Sequence, residues 1–203
     1  CNDDGVMAYK EHAKIYLNNC LIENNEDDGI ILIEAFSEVF VNNTYINNNG
    51  GQGIELHSSD SKLELSNSTV SNNSSKGIYT NTAYCEIFID NSTISENGQE
   101  GIHINEDYTP IQLSNSIVND NGSYGIYLES YYCPIELNVT NVINNESTGV
   151  FINGNHSPAL LNGCMINNNA GRGIFVTNSS GLTTSDIALN NTVIAANESY
   201  GIS

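Results

Sequence analysis

The sequence predicts an all-β, three-sided parallel solenoid, and three observations carry that reading. The first is a glycine followed by an aliphatic residue every 24 residues: Gly5-Val6, Gly29-Ile30, Gly53-Ile54, Gly77-Ile78, Gly101-Ile102, Gly125-Ile126, Gly149-Val150 and Gly173-Ile174. A ninth step, Gly201-Ile202, comes four residues late, after the stretch around Ser180-Gly181. A fixed period in the range of ~20–50 residues marks stacked repeats. The second is that aliphatic residues pair two apart, which is strand spacing and not helix spacing. The third is a set of asparagines at constant offsets from the glycine.

Each element of the 24-residue unit follows in turn. Ile54/Leu56, Ile102/Ile104 and Ile126/Leu128 make a short strand after the glycine. Leu63/Leu65, Ile87/Ile89 and Ile111/Leu113 make a second, and Ser68/Val70 with Ser92/Ile94 a third. Three short strands separated by Asn, Gly and Ser turns give a coil with three sides. Coils stack about 4.8 Å apart, so that like residues lie over like in parallel, in-register sheets. The expected total is about eight coils, because eight glycine steps keep the period.

The asparagine columns have separate causes. Four residues before each glycine stand Asn25, Asn49, Asn73, Asn97, Asn121, Asn145, Asn169 and Asn197, with Cys1 in the first slot. Amides stacked this way donate to one neighbouring coil and accept from the other, forming a ladder inside the turn. A second column holds Asn19, Asn43, Asn67, Asn91, Asn115 and Asn191, at the bend before the third strand. That bend calls for left-handed backbone angles, which Asn and Gly tolerate. Gly163 in this column fits the reading; Val139 does not.

The run Leu113-Ser114-Asn115-Ser116-Ile117-Val118-Asn119-Asp120-Asn121, followed by Gly125-Ile126-Tyr127-Leu128, resembles the repeat of the right-handed parallel β-helix family, the pectate-lyase-like superfamily. The resemblance runs over essentially the whole chain and implies a right-handed parallel β-helix. It implies no single activity, because the superfamily includes lyases, hydrolases, epimerases, adhesins and structural surface proteins. Its lyases use a Lys or Arg base beside a calcium carboxylate cluster. The cations here are Lys10, Lys14, Lys62, Lys76 and Arg172, and none is expected to project from the strand after the glycine. The paired aspartates and Gly-His-Gly of the polygalacturonase branch, and the Asp-Pro-His of the epimerases, do not occur. The resemblance therefore transfers no catalytic residue.

One repeat system throughout argues for a single solenoid domain over residues 1–203, and no stretch is apolar enough to cross a membrane. With no initiator Met and no signal peptide, the chain reads as processed or as a fragment. Carboxylates outnumber Lys and Arg 24 to 5, for a net charge of −19. Such a surface repels nucleic acid and anionic membranes, and acidic polysaccharides too unless divalent cations bridge. High acidity with many Asn and Ser points to an extracellular or cell-surface setting. The five cysteines make no disulfide framework. Cys85 and Cys133 share a turn position two coils apart, about 9.6 Å by strand spacing, beyond the ~7 Å limit for a bridge. Cys20 and Cys164 read as core residues. Cys1 is either a processing point or fragment edge, or the anchor of a lipoprotein.

The candidate chemistry lies on the strand after the glycine. Its outward positions include Glu55, His57, Tyr79, His103, Tyr127 and Glu129, which would lie within about 15 Å along the axis. Carboxylate with His or Tyr performs acid–base work, and aromatic faces stack on sugars. Against this stands the plain reading that aromatic residues are good cross-strand neighbours on an exposed sheet. The expected function is accordingly a non-catalytic extracellular structural solenoid. The alternative is a carbohydrate-active enzyme or glycan-binding module that uses this face. Asp3, Asp4, Glu26, Asp27 and Asp28 occupy one turn on neighbouring coils and would suit Ca²⁺, although a solvated acidic turn explains them equally.

N-x-Ser/Thr sites number twelve. Those in the asparagine columns (Asn67, Asn73, Asn91, Asn121, Asn145, Asn197) are expected to be blocked. Asn42, Asn72, Asn138, Asn155, Asn178 and Asn190 are the expected acceptors. Neither end reads as a cap, which predicts head-to-tail association into a filament with an axial repeat near 38 Å, or a segment of a longer solenoid.

Overall fold

The structure is a computed structural model that describes residues 3–177 and 185–203. Cys1, Asn178 and the stretch around Ser180-Gly181 lie outside the described residues. The described strands form three parallel sheets of eight strands each, and consecutive coils pair in register 24 residues apart, or 28 across the last step. The first sheet runs from Val6–Ala8 to Ile174–Thr177, the second from Lys14–Asn18 to Ile187–Asn190, and the third from Leu21–Glu23 to Val193–Ala195. There is no helix among the described residues.

The inner coils bury their period-2 aliphatic residues, so each column becomes a continuous file through the core, while on the end coils Ile15, Leu17, Ile187 and Ile194 are only partly covered and Leu189 is exposed. Ile54, Ile78, Ile102 and Ile126 form one such file, and Leu63, Ile87, Ile111 and Ile135 another. β-Branched residues suit these positions because two substituents on Cβ fill the space over the pleat.

Each of the three corners is turned by one residue with left-handed backbone angles. At the corner before the third sheet, Asn19, Asn43, Asn67, Asn91, Asn115 and Asn191 have φ of 45–56° and Gly163 has 64°. Val139 also adopts φ 50° there, so the column's geometry is kept by the stacking even without a permissive residue. A second corner uses Asn24, Asn48, Asn72, Glu96, Asp120, Asn144, Asn168 and Ala196. The third uses His12, Phe36, Asp60, Tyr84, Tyr108, Tyr132 and His156.

The inner asparagine ladder forms as expected. Nδ2 of each ladder residue donates to Oδ1 of the next, at 2.8–3.0 Å from Asn25 through Asn197. Asn67 and Asn91 are a correction. They sit on the outer corner and are exposed, so the inner ladder does not block them. Two further columns satisfy backbone amides that the sheets leave over. In one, Thr44 N–H donates to Ser68 Oγ and Ser68 N–H to Ser92 Oγ, at 3.0 and 3.1 Å. In the other, Cys133 N–H donates to Ser157 Oγ and Ser157 N–H to Ser185 Oγ, both at 3.0 Å. Cys85, Cys133 and Cys164 are buried free thiols, and burial pushes Cys85 up to about 12. Cys20, on the first coil, is only half-buried.

The glycine that marks the period is there for space. At Gly53 an added Cβ would stand 2.3 Å from Val70 Cγ1, 2.6 Å from Gly77 O and 2.8 Å from Asn73 Nδ2. The ladder amide and the branched core residue of the next coil press against the bare Cα.

Candidate functional site

In-register stacking of the first sheet puts Tyr79, His103, Tyr127, Phe151 and Phe175 in one outward file. Their ring centroids are 5.3, 4.7, 5.0 and 4.8 Å apart in order, and the last three pairs are stacked within 24° of parallel. Lys76 Nζ lies 4.5 Å over the Tyr79 ring at one end, and Arg172 Cζ lies 4.0 Å over Phe175 at the other. Tyr124 leans on Tyr127 and Phe151 from the side. The faces expected to receive sugar rings are therefore covered by neighbouring rings and by two cations, and the rings present their edges to solvent. Burial pushes the Tyr127 hydroxyl up to about 12 and raises that of Tyr79.

His103 is the tightest member of the file, with its side chain 12% exposed. Nε2 lies 3.5 Å from Glu129 Oε2 and Nδ1 lies 3.8 Å from Glu100 Oε2. Neither ring nitrogen has a partner at ordinary hydrogen-bonding geometry. Burial, with help from Lys76, holds the imidazole below its usual pKa against the pull of Glu100 and Glu129. It is consequently neutral at pH 7.

A polar cluster lies next along the sheet toward the first coil. Asp28 and Glu55 are 3% and 8% exposed, a pair of carboxyls nearly out of water. Gln52 N–H donates to Asp28 Oδ1 at 2.6 Å, and Asn81 Nδ2 donates to Glu55 Oε1 at 3.0 Å. His57 Nδ1 stands 3.0 Å from the same Glu55 oxygen, while its ring is 53% exposed. Asp28 is pushed up to about 8, by burial first and then by its hydrogen bond to Glu55 and that residue's charge. The two carboxyls thus hold a proton between them at neutral pH. Gly51 makes the approach possible, because a Cβ there would be 2.2 Å from Asp28 Oδ1.

The Asp28 shift fixes a pH dependence. The unfolded chain releases the Asp28 proton near 3.8, whereas the folded chain keeps it until about 8. Across that window the folded state binds the extra proton, so stability is greatest at the acid end and falls as pH rises. Asp28→Asn is expected to flatten the fall, leaving the variant more stable than the parent at pH 9 by about 3 kcal/mol. Urea unfolding at pH 5 and pH 9 checks this, and identical pH profiles for the two proteins would refute it.

The acidic turn is only partly assembled. Carboxylate oxygens of Asp3, Asp4 and Asp27 lie within 4.8 Å of one another, and Asp4 Oδ1 accepts the Asp28 N–H at 3.0 Å. Glu26 is outside this group, and Asp28 turns inward to Glu55, which corrects the expectation of four or five converging carboxylates. The three that remain are hard oxygen donors of the kind Ca²⁺ accepts, but half or fewer of the ~6–8 it takes.

Among the sequon asparagines, Asn72 is exposed at a left-handed corner, with no side-chain hydrogen bond among the described residues. Asn42, Asn138 and Asn190 join amide chains on the second sheet: Asn42 Nδ2 donates to Asn18 Oδ1 at 3.3 Å, and Asn162 and Asn190 donate to Asn138 and Asn162 at 2.8 Å. Asn155 is a correction. It is 7% exposed, so its amide is not presented to solvent as a glycosyl acceptor must be.

Sequence reasoning passed over a second ring file on the third corner. Tyr84, Tyr108, Tyr132 and His156 stack at 5.0, 5.0 and 4.7 Å, within 6° of parallel. Its signal was the same 24-residue step. It also passed over the inward role of Asp28, for which Gly51 was the available sign.

The family described as "right handed beta helix region" matches residues 1–87 and 83–203, which together span the chain. The chain belongs to the right-handed β-helix family. Among solved structures, this β-helix protein is similar to pectate lyase Pel9A, with a TM-score of 0.59 at 12% identity, covering 96% of this chain and 68% of that one. At that identity the likeness concerns the β-helix fold alone. No curated protein matches the sequence. Among the described residues of the β-helix, no helix is long and apolar enough to cross a membrane.

Proposed function

We propose that the chain is a non-catalytic β-helix, a building block of an extracellular surface or filament. One observation carries the reading: the rings from Tyr79 to Phe175 and the cations Lys76 and Arg172 cover one another's faces. The side chains best placed to grip a sugar are occupied in joining successive coils, each pair contributing about 0.5–1.5 kcal/mol beyond burial. The net charge of −19 and the Asn- and Ser-rich composition support an extracellular setting. The expected result is that uronic-acid polymers and neutral polysaccharides yield neither unsaturated products nor new reducing ends. Tyr127→Ala is expected to lower the melting temperature by about 5 °C. Turnover that disappears in His103→Ala would overturn the proposal.

A carbohydrate-active reading is favoured by the Asp28–Glu55–His57 cluster. Glu55 Oε1 at 3.0 Å and Asn81 Nδ2 at 2.7 Å both meet Nδ1 and hold an exposed imidazole in place, an arrangement suited to a general base. Turnover abolished by His57→Ala and kept by His103→Ala would move the function to this cluster.

A further inference from the structure

All three prolines of the chain, Pro110, Pro134 and Pro158, fall on one column. They stand at the entry to successive strands of the second sheet, two residues after the ring file of Tyr108, Tyr132 and His156. Beside them, bounded by Leu160 and Ala188, is a mostly apolar groove of about 420 Å³. Pro134 and Pro158 are exposed along it, and Tyr108, Tyr132 and His156 are exposed on the corner that precedes the prolines. An exposed apolar strip of this kind on a highly charged chain marks a contact surface.

The groove cannot take a partner by adding a strand. Its floor amides are already used: Ile111 N–H donates to Pro134 O at 3.0 Å and Ile135 N–H to Pro158 O at 2.9 Å. The partner must be held through ring and methylene contacts.

Two observations define that partner. Glu136 and Asp186 line the groove, and neither carboxylate has an ion-pair partner among the described residues. Among the described residues, no Lys or Arg lines it. The complementary ligand is therefore cationic. The second observation is spacing, because the prolines that line the groove recur once per coil, about 4.8 Å apart by strand spacing. An extended strand repeats a face every ~6.6–6.8 Å and falls out of step. A polyproline II helix turns every three residues with ~3.1 Å rise, about 9.3 Å per turn, close to the ~9.6 Å of two coils.

We infer that this groove binds a proline-rich, cationic segment of a partner protein in the polyproline II conformation, lying along the solenoid axis. The ligand's rings pack on the proline column, and its Lys or Arg side chains meet Glu136 and Asp186. The inference holds whether or not the chain is an enzyme.

Fluorescence anisotropy of the intact chain with a labelled peptide of repeated Pro-Pro-Arg triplets tests it. Peptides of repeated Gly-Ser-Arg and Pro-Pro-Glu, matched in length, serve as comparison. Saturable binding is expected for Pro-Pro-Arg alone. Glu136→Lys and Leu160→Asp are each expected to weaken it about tenfold with the circular dichroism unchanged. Equal binding of Gly-Ser-Arg would reduce the effect to bulk charge and overturn the inference. So would no binding of Pro-Pro-Arg at millimolar concentration, or full affinity in both variants. The peptide comparison needs no variant and stands even if one fails to fold. A concentration-dependent dimer lost in Leu160→Asp would assign the groove to a second copy instead and also overturn it.

Discussion

Gly101→Val is expected to prevent the middle coils from stacking, at a cost above about 4 kcal/mol. A Cβ at Gly101 would lie 2.6 Å from Val118 Cγ1, 2.7 Å from Gly125 O and 2.8 Å from Asn121 Nδ2. None of these can retreat. The oxygen is backbone held by the Ile102 N–H, the methyl belongs to a fully buried core file, and the amide is a rung of the ladder. The contrast is Gly163→Asn. There φ is +64° and the nearest atom to an added Cβ is Val139 Cγ2 at 3.8 Å, so the residue serves conformation and not space. Asparagine, the usual occupant of that column, is expected to change stability by less than about 1 kcal/mol. Soluble yield, circular dichroism and thermal unfolding of both variants measure the difference. Wild-type melting of Gly101→Val would show that the glycine does not set coil separation.

Asn121→Ala is expected to cost about 4 kcal/mol, roughly 10 °C in melting temperature for a chain of this size. All the polar atoms of the Asn121 amide are in use. Nδ2 donates to Asn145 Oδ1 at 2.9 Å and to Ile94 O at 3.3 Å, while Oδ1 accepts from Asn97 N–H at 3.2 Å and Asn97 Nδ2 at 3.0 Å. Removing it strands the Asn97 N–H where water does not reach, at about 1–3 kcal/mol, and strips one bond each from Asn97 Nδ2, Asn145 Oδ1 and Ile94 O, although Asn97 Nδ2 keeps Val70 O and Asn145 Oδ1 keeps the Asn121 N–H. The control Gln112→Ala, on an exposed strand position, is expected to stay within about 0.5 kcal/mol of the parent. Equal melting of the two variants would sink the account of the ladder.

The candidate site was legible to a lesser degree than the coil. Outward positions such as Tyr79, His103 and Tyr127 follow from period 2 within a strand and 24 between strands, so their file was foreseeable. The direction of the rings was not. Tyr79 to Phe175 stand edge-out because neighbours a coil apart are close enough to stack, and this is a property of coil separation and not of any one residue. Asp28 illustrates the same limit. In sequence it belongs with Asp27 in a solvated acidic turn, yet Gly51 on the next coil leaves room for it to turn in and share a proton with Glu55.

By itself the sequence determined the all-β class, the three strands per coil, the register and the inner asparagine ladder. Each of these repeats along the chain, and a repeat adds the same weak local preference many times over until it is unmistakable. The tertiary structure alone decided that the period's glycine serves close approach, that all three corners need a left-handed residue, and that Val139 accepts that geometry. It also decided that aromatic faces are closed by stacking and cations. These depend on distances between residues a full coil apart, where a few tenths of an ångström decide between contact and clash, and no pattern along one strand records them.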